Sequence, residues 1–339
     1  MDKLLITKPK SAGIILSYKC TSSCKHCMYA SSPNWPSDWM NLSQLEHIIS
    51  KLSETIIPSN LGPRNVGINV GLHFTGGEPF LNYNLLIDAV KIARKYDIPS
   101  VFVETNCFWC TDDGIAVDRF RELKNFGLDG LLVSVNPFLL EYIPFERTER
   151  AINIGYKIFR QNLMVYQEYY RLLFKKLNVK TTLSFEDFLK KADPTWLYYI
   201  ELLPMGRTVY KLDMLFRKYP AKYFFGQSCY HELTRDWHVH IDNYGNYIPG
   251  YCGGITLGNI KEFESLFNGL FLDELPVIKA LTTDIRILYD MSVKEFGYKE
   301  NVEGYISKCH LCIDIRKHMI EKGCKFAELK SIEFYENLT

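Results

Sequence analysis

An α/β fold, a partial (β/α)6 barrel with a small α+β module behind it, is predicted by two features of the sequence. From residue 12 to about 206, short apolar runs alternate with segments of helical spacing. Near-continuous apolar strands separated by helices belong in a parallel sheet covered on its faces. After Arg207 the alternation stops, and hairpin text followed by cysteine-bearing helical text replaces it.

The elements follow in order. Gly13 to Tyr18 reads as a first buried strand, with Gly67 to Phe74, Ser100 to Glu104 and Leu131 to Asn136 as the next three. Leu163 to Tyr166 and Tyr198 to Leu203 are candidates for the fifth and sixth. Between the first two strands, Leu42, Leu45, Ile48, Ile49 and Leu52 recur at helical spacing, with Asn41 as N-cap and Gln44 three residues on. Leu86, Ala89, Val90 and Ala93 repeat the pattern, and Phe120, Leu123 and Phe126 form a third helix stopped by Gly127. Six such units make an open, TIM-like barrel, whose reactive end is the carboxyl edge of the strands. Farther on, His238 to Ile241 and Tyr247-Ile248 flank the turn text Asp242-Asn243-Tyr244-Gly245-Asn246, and helical text runs from about Ile260 to Phe296. The chain is therefore divided into residues 1–210, the barrel core, and 211–339, a module with little core of its own that metal would hold together.

Of 339 residues, 47% are apolar and 23% charged, which excludes wholesale disorder. A net charge of +1 argues against a long nucleic-acid partner. No apolar run approaches the roughly 18 residues of a membrane span, and no secretory signal opens the sequence, so a soluble, cytoplasmic protein is expected. Ten cysteines, at 20, 24, 27, 107, 110, 229, 252, 309, 312 and 324, point in a reducing compartment to metal or redox chemistry rather than to disulfides.

Cys20, Cys24 and Cys27 fall in the loop after the first strand, at spacings of four and three. Three thiolates can hold three irons of a [4Fe–4S] cube and leave the fourth open for chemistry. A zinc loop is the alternative, with His26 or a distant cysteine as fourth ligand. At the end of the second strand stands Thr75-Gly76-Gly77-Glu78-Pro79: two glycines that admit close backbone approach, then a carboxylate suited to an ammonium group.

This pair of motifs, CX3CX2C and GGEP, resembles the hallmark of radical S-adenosylmethionine (radical SAM) enzymes, and the resemblance covers roughly residues 10–210. It implies that Cys20, Cys24 and Cys27 bind a [4Fe–4S] cluster whose open iron chelates S-adenosylmethionine. Gly76, Gly77 and Glu78, with Pro79 beside them, would then meet the methionine amino group, and His26 the adenine. It also implies reductive cleavage to a 5′-deoxyadenosyl radical that abstracts hydrogen from a substrate, with an external low-potential donor such as flavodoxin or ferredoxin. Asn106 ends the third strand, Ser134 and Asn136 the fourth, and Pro204-Met205-Gly206-Arg207 the sixth. By the same resemblance these are candidates to bind the cofactor, and Tyr166, Gln167 and Glu168 rank below them. Capping of strand–helix turns is the plainer role for all of them.

Cys107 and Cys110 form a CxxC at the third strand's tip and are candidate catalytic thiols; filling space beneath Trp109 is the alternative. The aromatic loop Ser32 to Trp39 is read as a cap on the cluster, as lining of a substrate channel, or as surface packing. Cys229, Cys252, Cys309 and Cys312 resemble a twitch module, a shortened SPASM domain that holds one auxiliary [4Fe–4S] cluster, with Cys324 as a further candidate and zinc as the alternative metal. The leading functional reading is radical modification of a peptide or protein side chain. A small-molecule dehydrogenase, a cobalamin-dependent C-methyltransferase and a non-catalytic Fe–S electron carrier are the other readings. Cobalamin is not favoured: Asp236-Trp237-His238-Val239-His240-Ile241 matches only the first half of the D-x-H-x-x-G signature.

Overall fold

The computed structural model describes residues 2–339. Its centre is a seven-stranded sheet. We label the strands β1 (Ala12–Ile15), β2 (Leu72–Thr75), β3 (Val101–Thr105), β4 (Gly130–Ser134), β5 (Leu163–Tyr166), β6 (Val239–Ile241) and β7 (Tyr247–Ile248). Their order is β5-β4-β3-β2-β1-β6-β7; the first six are parallel, and β7 returns antiparallel against β6. The sheet is open, with β5 and β7 as its edges. The barrel expectation thus holds as a curved, unclosed parallel sheet with five of its six strands where the sequence put them.

The sixth differs. Tyr198 to Leu203 is not a strand: Pro194–Tyr199 forms a 3-10 helix, N-capped by Asp193 with Pro194 in its first turn. That start signal outweighs the β propensity of the aromatic run. Trp196 is buried against Tyr170, Phe185 and Phe188, so the segment's apolar surface packs on helices rather than in the sheet. The sixth parallel strand comes instead from the far side of β1, as β6. The helical text from Ile260 to Phe296 is also broken, into Ile260–Glu262, Phe263–Phe267, Pro276–Thr283 and Ile285–Phe296. Gly269, at φ +101°, and Pro276 interrupt it, and Leu270–Phe271 pairs with Lys3–Leu4.

Three long helices cover the sheet where periodicity predicts them: α1 (Leu42–Leu52), α2 (Tyr83–Lys95) and α3 (Asp113–Asn125). Each is N-capped by a side chain, Asn41, Asn82 and Asp112 respectively. Later come α4 (Phe145–Phe159) and α5 (Lys308–Glu321). One continuous apolar core joins the strands, these helices and the segment beyond residue 210. No helix among the described residues is long and apolar enough to cross a membrane.

Asp242 fastens the β6–β7 hairpin to β1. It is buried, and its carboxylate accepts from the Tyr18 hydroxyl, the backbone N–H of Tyr244 and of Asn246, and the Asn246 side-chain amide, all at 2.9–3.0 Å. Asp242→Ala strands four buried donors. An unpaired buried polar group costs about 1–3 kcal/mol, so we expect a loss of at least ~3 kcal/mol after partial relaxation. Urea unfolding of the variant beside the parent chain checks this.

Candidate active site

The carboxyl ends of β1 to β4 open on a cavity of about 300 Å³. Cys20, Cys24, His26 and Cys27 line it from the loop after β1, Gly76 to Pro79 from the turn after β2, and Asn106, Ser134 and Asn136 from the ends of β3 and β4. Among the residues singled out in the first 210 positions, Cys107, Cys110, Gln167, Glu168 and the segment Pro204 to Arg207 are absent from its walls.

The thiol loop is held by backbone. Gly77 N–H donates to Ser17 O at 2.8 Å and Glu78 N–H to Lys19 O at 3.0 Å, so the turn after β2 continues the sheet's pairing into the loop after β1. The two glycines are there for this contact: a Cβ at Gly76 would lie 2.2 Å from Ser17 O, and one at Gly77 2.0 Å from Lys19 O. The close approach their presence signals is therefore to the chain itself, with Gly76 at φ +137°. Cys20 N–H donates to Ser32 O and Cys27 N–H to Cys24 O, curling the loop on itself. Trp35 is buried, stacked on Tyr18 at 4.3 Å, and its indole donates to Ala30 O. The aromatic loop thus props the thiol loop from beneath and does not line the cavity.

Arg207 completes the support. It is 2% exposed, and its guanidinium donates to the carbonyls of Cys24, Ala30, Ser31 and Asn337 at 2.5–2.9 Å, while its own N–H donates to Cys27 O. A guanidinium so committed has little donor capacity left for a ligand. It positions the loop from behind.

Glu78 is 1% exposed, and its carboxylate accepts from Phe80 N–H, the Thr105 hydroxyl and Asn106 N–H at 3.1, 2.9 and 2.7 Å. Burial pushes its pKa up to about 7, against the pull of those donors. Three of its roughly four acceptor positions are used. Asn106 reaches the other way, its amide 3.0 Å from Thr21 Oγ1 and 3.7 Å from Cys20 Sγ. Asn136 caps the turn Pro137–Leu140 and meets His26 Nε2 at 3.3 Å. His26 Nδ1 is buried without a partner; burial, then Arg207, lowers this imidazole to about 4, so it stays neutral. Tyr166 lines the cavity and donates to Glu201, whereas Gln167 donates to Glu201 O and Glu168 pairs with Arg171.

Cys107 and Cys110 lie off the cavity, fully buried in the apolar core. Burial raises Cys110 to about 12 and Cys107 well above its ordinary value, which leaves both protonated. Trp109 stacks on Phe80 at 4.2 Å and donates to Thr105. The pair packs this corner, as the space-filling alternative has it.

Beyond residue 210 the structure gathers four thiols. Cys252 feels the charge of Cys309 and Cys312, Cys309 that of Cys229 and Cys312, and Cys229 that of Cys312 and Cys252. Cys324 feels Glu328 and Glu295 but no thiol, and stands apart. Burial is the first cause raising Cys229, Cys252 and Cys309 to about 12, a penalty that a bound cation reverses. Arg316 Nε lies 3.3 Å from Cys312 Sγ, and Lys308 lies close to Cys229, so two cations attend a set that would be anionic when deprotonated. Three thiols thus line the cavity, and four others neighbour one another beyond residue 210.

The sequence reading places Glu104 at this mouth but missed the rest of the cavity's other wall: His73, His238, His240, Tyr251 and Glu201. Period-two alternation could have found His73, because it shares a strand face with Thr75 and Gly77.

Comparison with known proteins bears on the loop and its cavity. Residues 14–160 match the radical SAM superfamily model. A protein of Bacillus subtilis (strain 168) named for peptide biosynthesis, YydG, is 25% identical over 145 residues, a match covering 43% of this chain and 40% of that relative. Among solved structures, BtrN in complex with AdoMet and 2-DOIA aligns over 83% of this chain and 90% of its own, at 14% identity and a TM-score of 0.47. Native anSMEcpe with bound AdoMet aligns over 98% and 100%, at 13% identity and a TM-score of 0.34. The family model takes in the thiol loop, the GGEP turn and the strands from Ile14 to Ser134, and residues 14–160 of the chain thus form a radical SAM domain.

Proposed function

We propose that this enzyme modifies a peptide or protein side chain by hydrogen abstraction. The observation that carries the reading is the similarity to YydG over 145 residues, since that relative is named for peptide biosynthesis. The cavity is compatible with it: its lining reaches Tyr166 at the end of the unpaired edge strand β5, and includes Glu201, Leu203 and the exposed Ile68.

Superfamily members use a [4Fe–4S] cluster and S-adenosylmethionine, which together supply one-electron cleavage of a C–S bond and a carbon radical. In this chain Cys20, Cys24 and Cys27 would hold the cluster. Cys229, Cys252, Cys309 and Cys312 would hold an auxiliary one, leaving Cys324 free. Arg207 and the Gly76–Glu78 turn keep the thiol loop in place. Glu78, buried and with one acceptor position to spare, would receive the ammonium of the methionine moiety. His26 and Asn136 would face the nucleoside, His26 as a neutral ring with Nδ1 open to a donor. Asn106 ties Glu78 to Cys20 and so fixes the amino-acid end relative to the metal.

Incubating the anaerobically reconstituted protein with dithionite, S-adenosylmethionine and candidate peptides deuterated at their side chains tests the reading. Deuterium should appear in 5′-deoxyadenosine and a mass change in the peptide; transfer only from small alcohols would overturn it. Cys24→Ala should abolish 5′-deoxyadenosine formation. Cys309→Ala should remove about one cluster's worth of iron while the first cluster keeps its spectrum, which iron analysis and electron paramagnetic resonance measure. Affinity for S-adenosylmethionine should depend on pH. An ammonium pairs only with ionised Glu78, so binding should weaken as pH falls through about 7 and approach tenfold per unit below it. Glu78→Gln should bind weakly with a flat profile, as anaerobic equilibrium dialysis would register.

A further inference from the structure

The wall of the cavity opposite the strand β4 residues is built from three buried histidines that the reading above does not use. His73 lies on β2, His240 on β6, and Gly13 on the intervening β1 is register partner to both. His238 precedes His240 by two residues and shares its face. All three are at most 4% exposed, and one ring nitrogen from each lies within 4.8 Å of the other two. Gly13 makes room for them: a Cβ there would stand 2.5 Å from His73 Nε2 and 2.8 Å from His240 Nε2. These two nitrogens therefore converge over one bare backbone position.

Their hydrogen bonds are one-sided. His238 Nδ1 lies 2.8 Å from Ser11 Oγ, and its Nε2 is buried without a partner. His240 Nδ1 is 2.9 Å from the Tyr29 hydroxyl and 3.3 Å from Gly250 O. His73 has no hydrogen-bond partner on either nitrogen; the nearest anion, Glu104 Oε1, is 3.5 Å from its Nε2. An outer nitrogen fixed by a hydroxyl or carbonyl while the inner one is bare is how metal-bound histidines are held. Left alone, an unpaired buried nitrogen destabilises the fold.

We propose that His73, His238 and His240 form a binding site for a divalent transition-metal ion of the zinc class, separate from both thiol sets. Three imidazoles suit zinc, and three protein ligands leave a fourth position open. That position faces the cavity beside Glu104, which itself accepts from Thr75 at 2.7 Å. The ion would thus stand on the substrate side of the cavity and offer an electrophilic anchor for a carbonyl or carboxylate. Burial holds all three rings neutral, the state a metal requires.

The test uses the protein with its iron–sulfur groups reconstituted anaerobically, equilibrated with a small excess of Zn²⁺ and desalted. About one zinc per chain should remain, and zinc-edge X-ray absorption should show imidazole scattering at about 2.0–2.1 Å without sulfur at about 2.3 Å. His73→Gln should lose the retained zinc with iron content unchanged. Ser11→Ala, which touches only the outer nitrogen of His238, should weaken zinc binding roughly 10-fold. No retained zinc in the parent protein, or zinc with sulfur neighbours, would overturn the proposal.

Discussion

The molecule depends on a backbone contact. The turn Gly76–Glu78 pairs with the carbonyls of Ser17 and Lys19, and two missing Cβ atoms allow it. A loop carrying three thiols, with no regular structure, must be fixed well enough for all three to meet one metal group. Sheet-like hydrogen bonds do this more rigidly than side chains, because each fixes chain direction as well as distance. The carboxylate that follows is thereby buried at a set place, and two of its three donors, from Thr105 and Asn106, bind the end of the next strand into the same unit. A two-residue contact thus ties the ends of β1, β2 and β3 into one rim.

Around that rim the protein surrounds potential anions with fixed donors. Arg207 spends its guanidinium on carbonyls of the loop rather than on a carboxylate, so its charge stays uncancelled beside Cys24. Arg316 and Lys308 stand in the same relation to the second thiol set. Buried thiols alone resist ionisation, so in both places metal binding must supply the driving force for losing the protons. Neutral His26 and the uncharged Cys107–Cys110 pair add no competing charge.

Much of this was legible in the residues. The CX3CX2C loop, GGEP and the first five strands carry local signals: spacing, glycine and uninterrupted apolar runs. The spacing of the later cysteines was legible too, whereas only three dimensions show Cys229, Cys252, Cys309 and Cys312 as neighbours with Cys324 apart. Tyr198 to Leu203 was misread because aromatic residues serve a strand and a buried 3-10 turn equally well, and only Asp193-Pro194 distinguishes them. The part taken by β6 was hidden for another reason. Its pairing with β1 joins residues more than 220 positions apart, and three apolar positions cannot announce their neighbour. The histidines of the cavity wall were illegible on the same ground, since His73 and His238 meet only once that pairing is made. Arg207 illustrates a different limit: a motif can be located correctly while its side chain turns away from the ligand and toward the loop.

The two thiol sets, distant in sequence, are built against each other. A Cβ on Gly253, next to Cys252, would lie 2.9 Å from the carbonyl of Met28, next to Cys27, so the two thiol-bearing loops touch through backbone. The C-terminal segment locks that contact. Arg207 and Ser32 hold Asn337. Two residues earlier, Tyr335 donates to Gly254 O and accepts from Arg316, whose Nε reaches Cys312. Every link in this path is buried or half-buried. Movement of one loop must therefore either break a buried hydrogen bond or carry the other loop with it. Rigid spacing between two metal groups is what electron transfer between them would require, and the last eight residues of the chain are what enforce it.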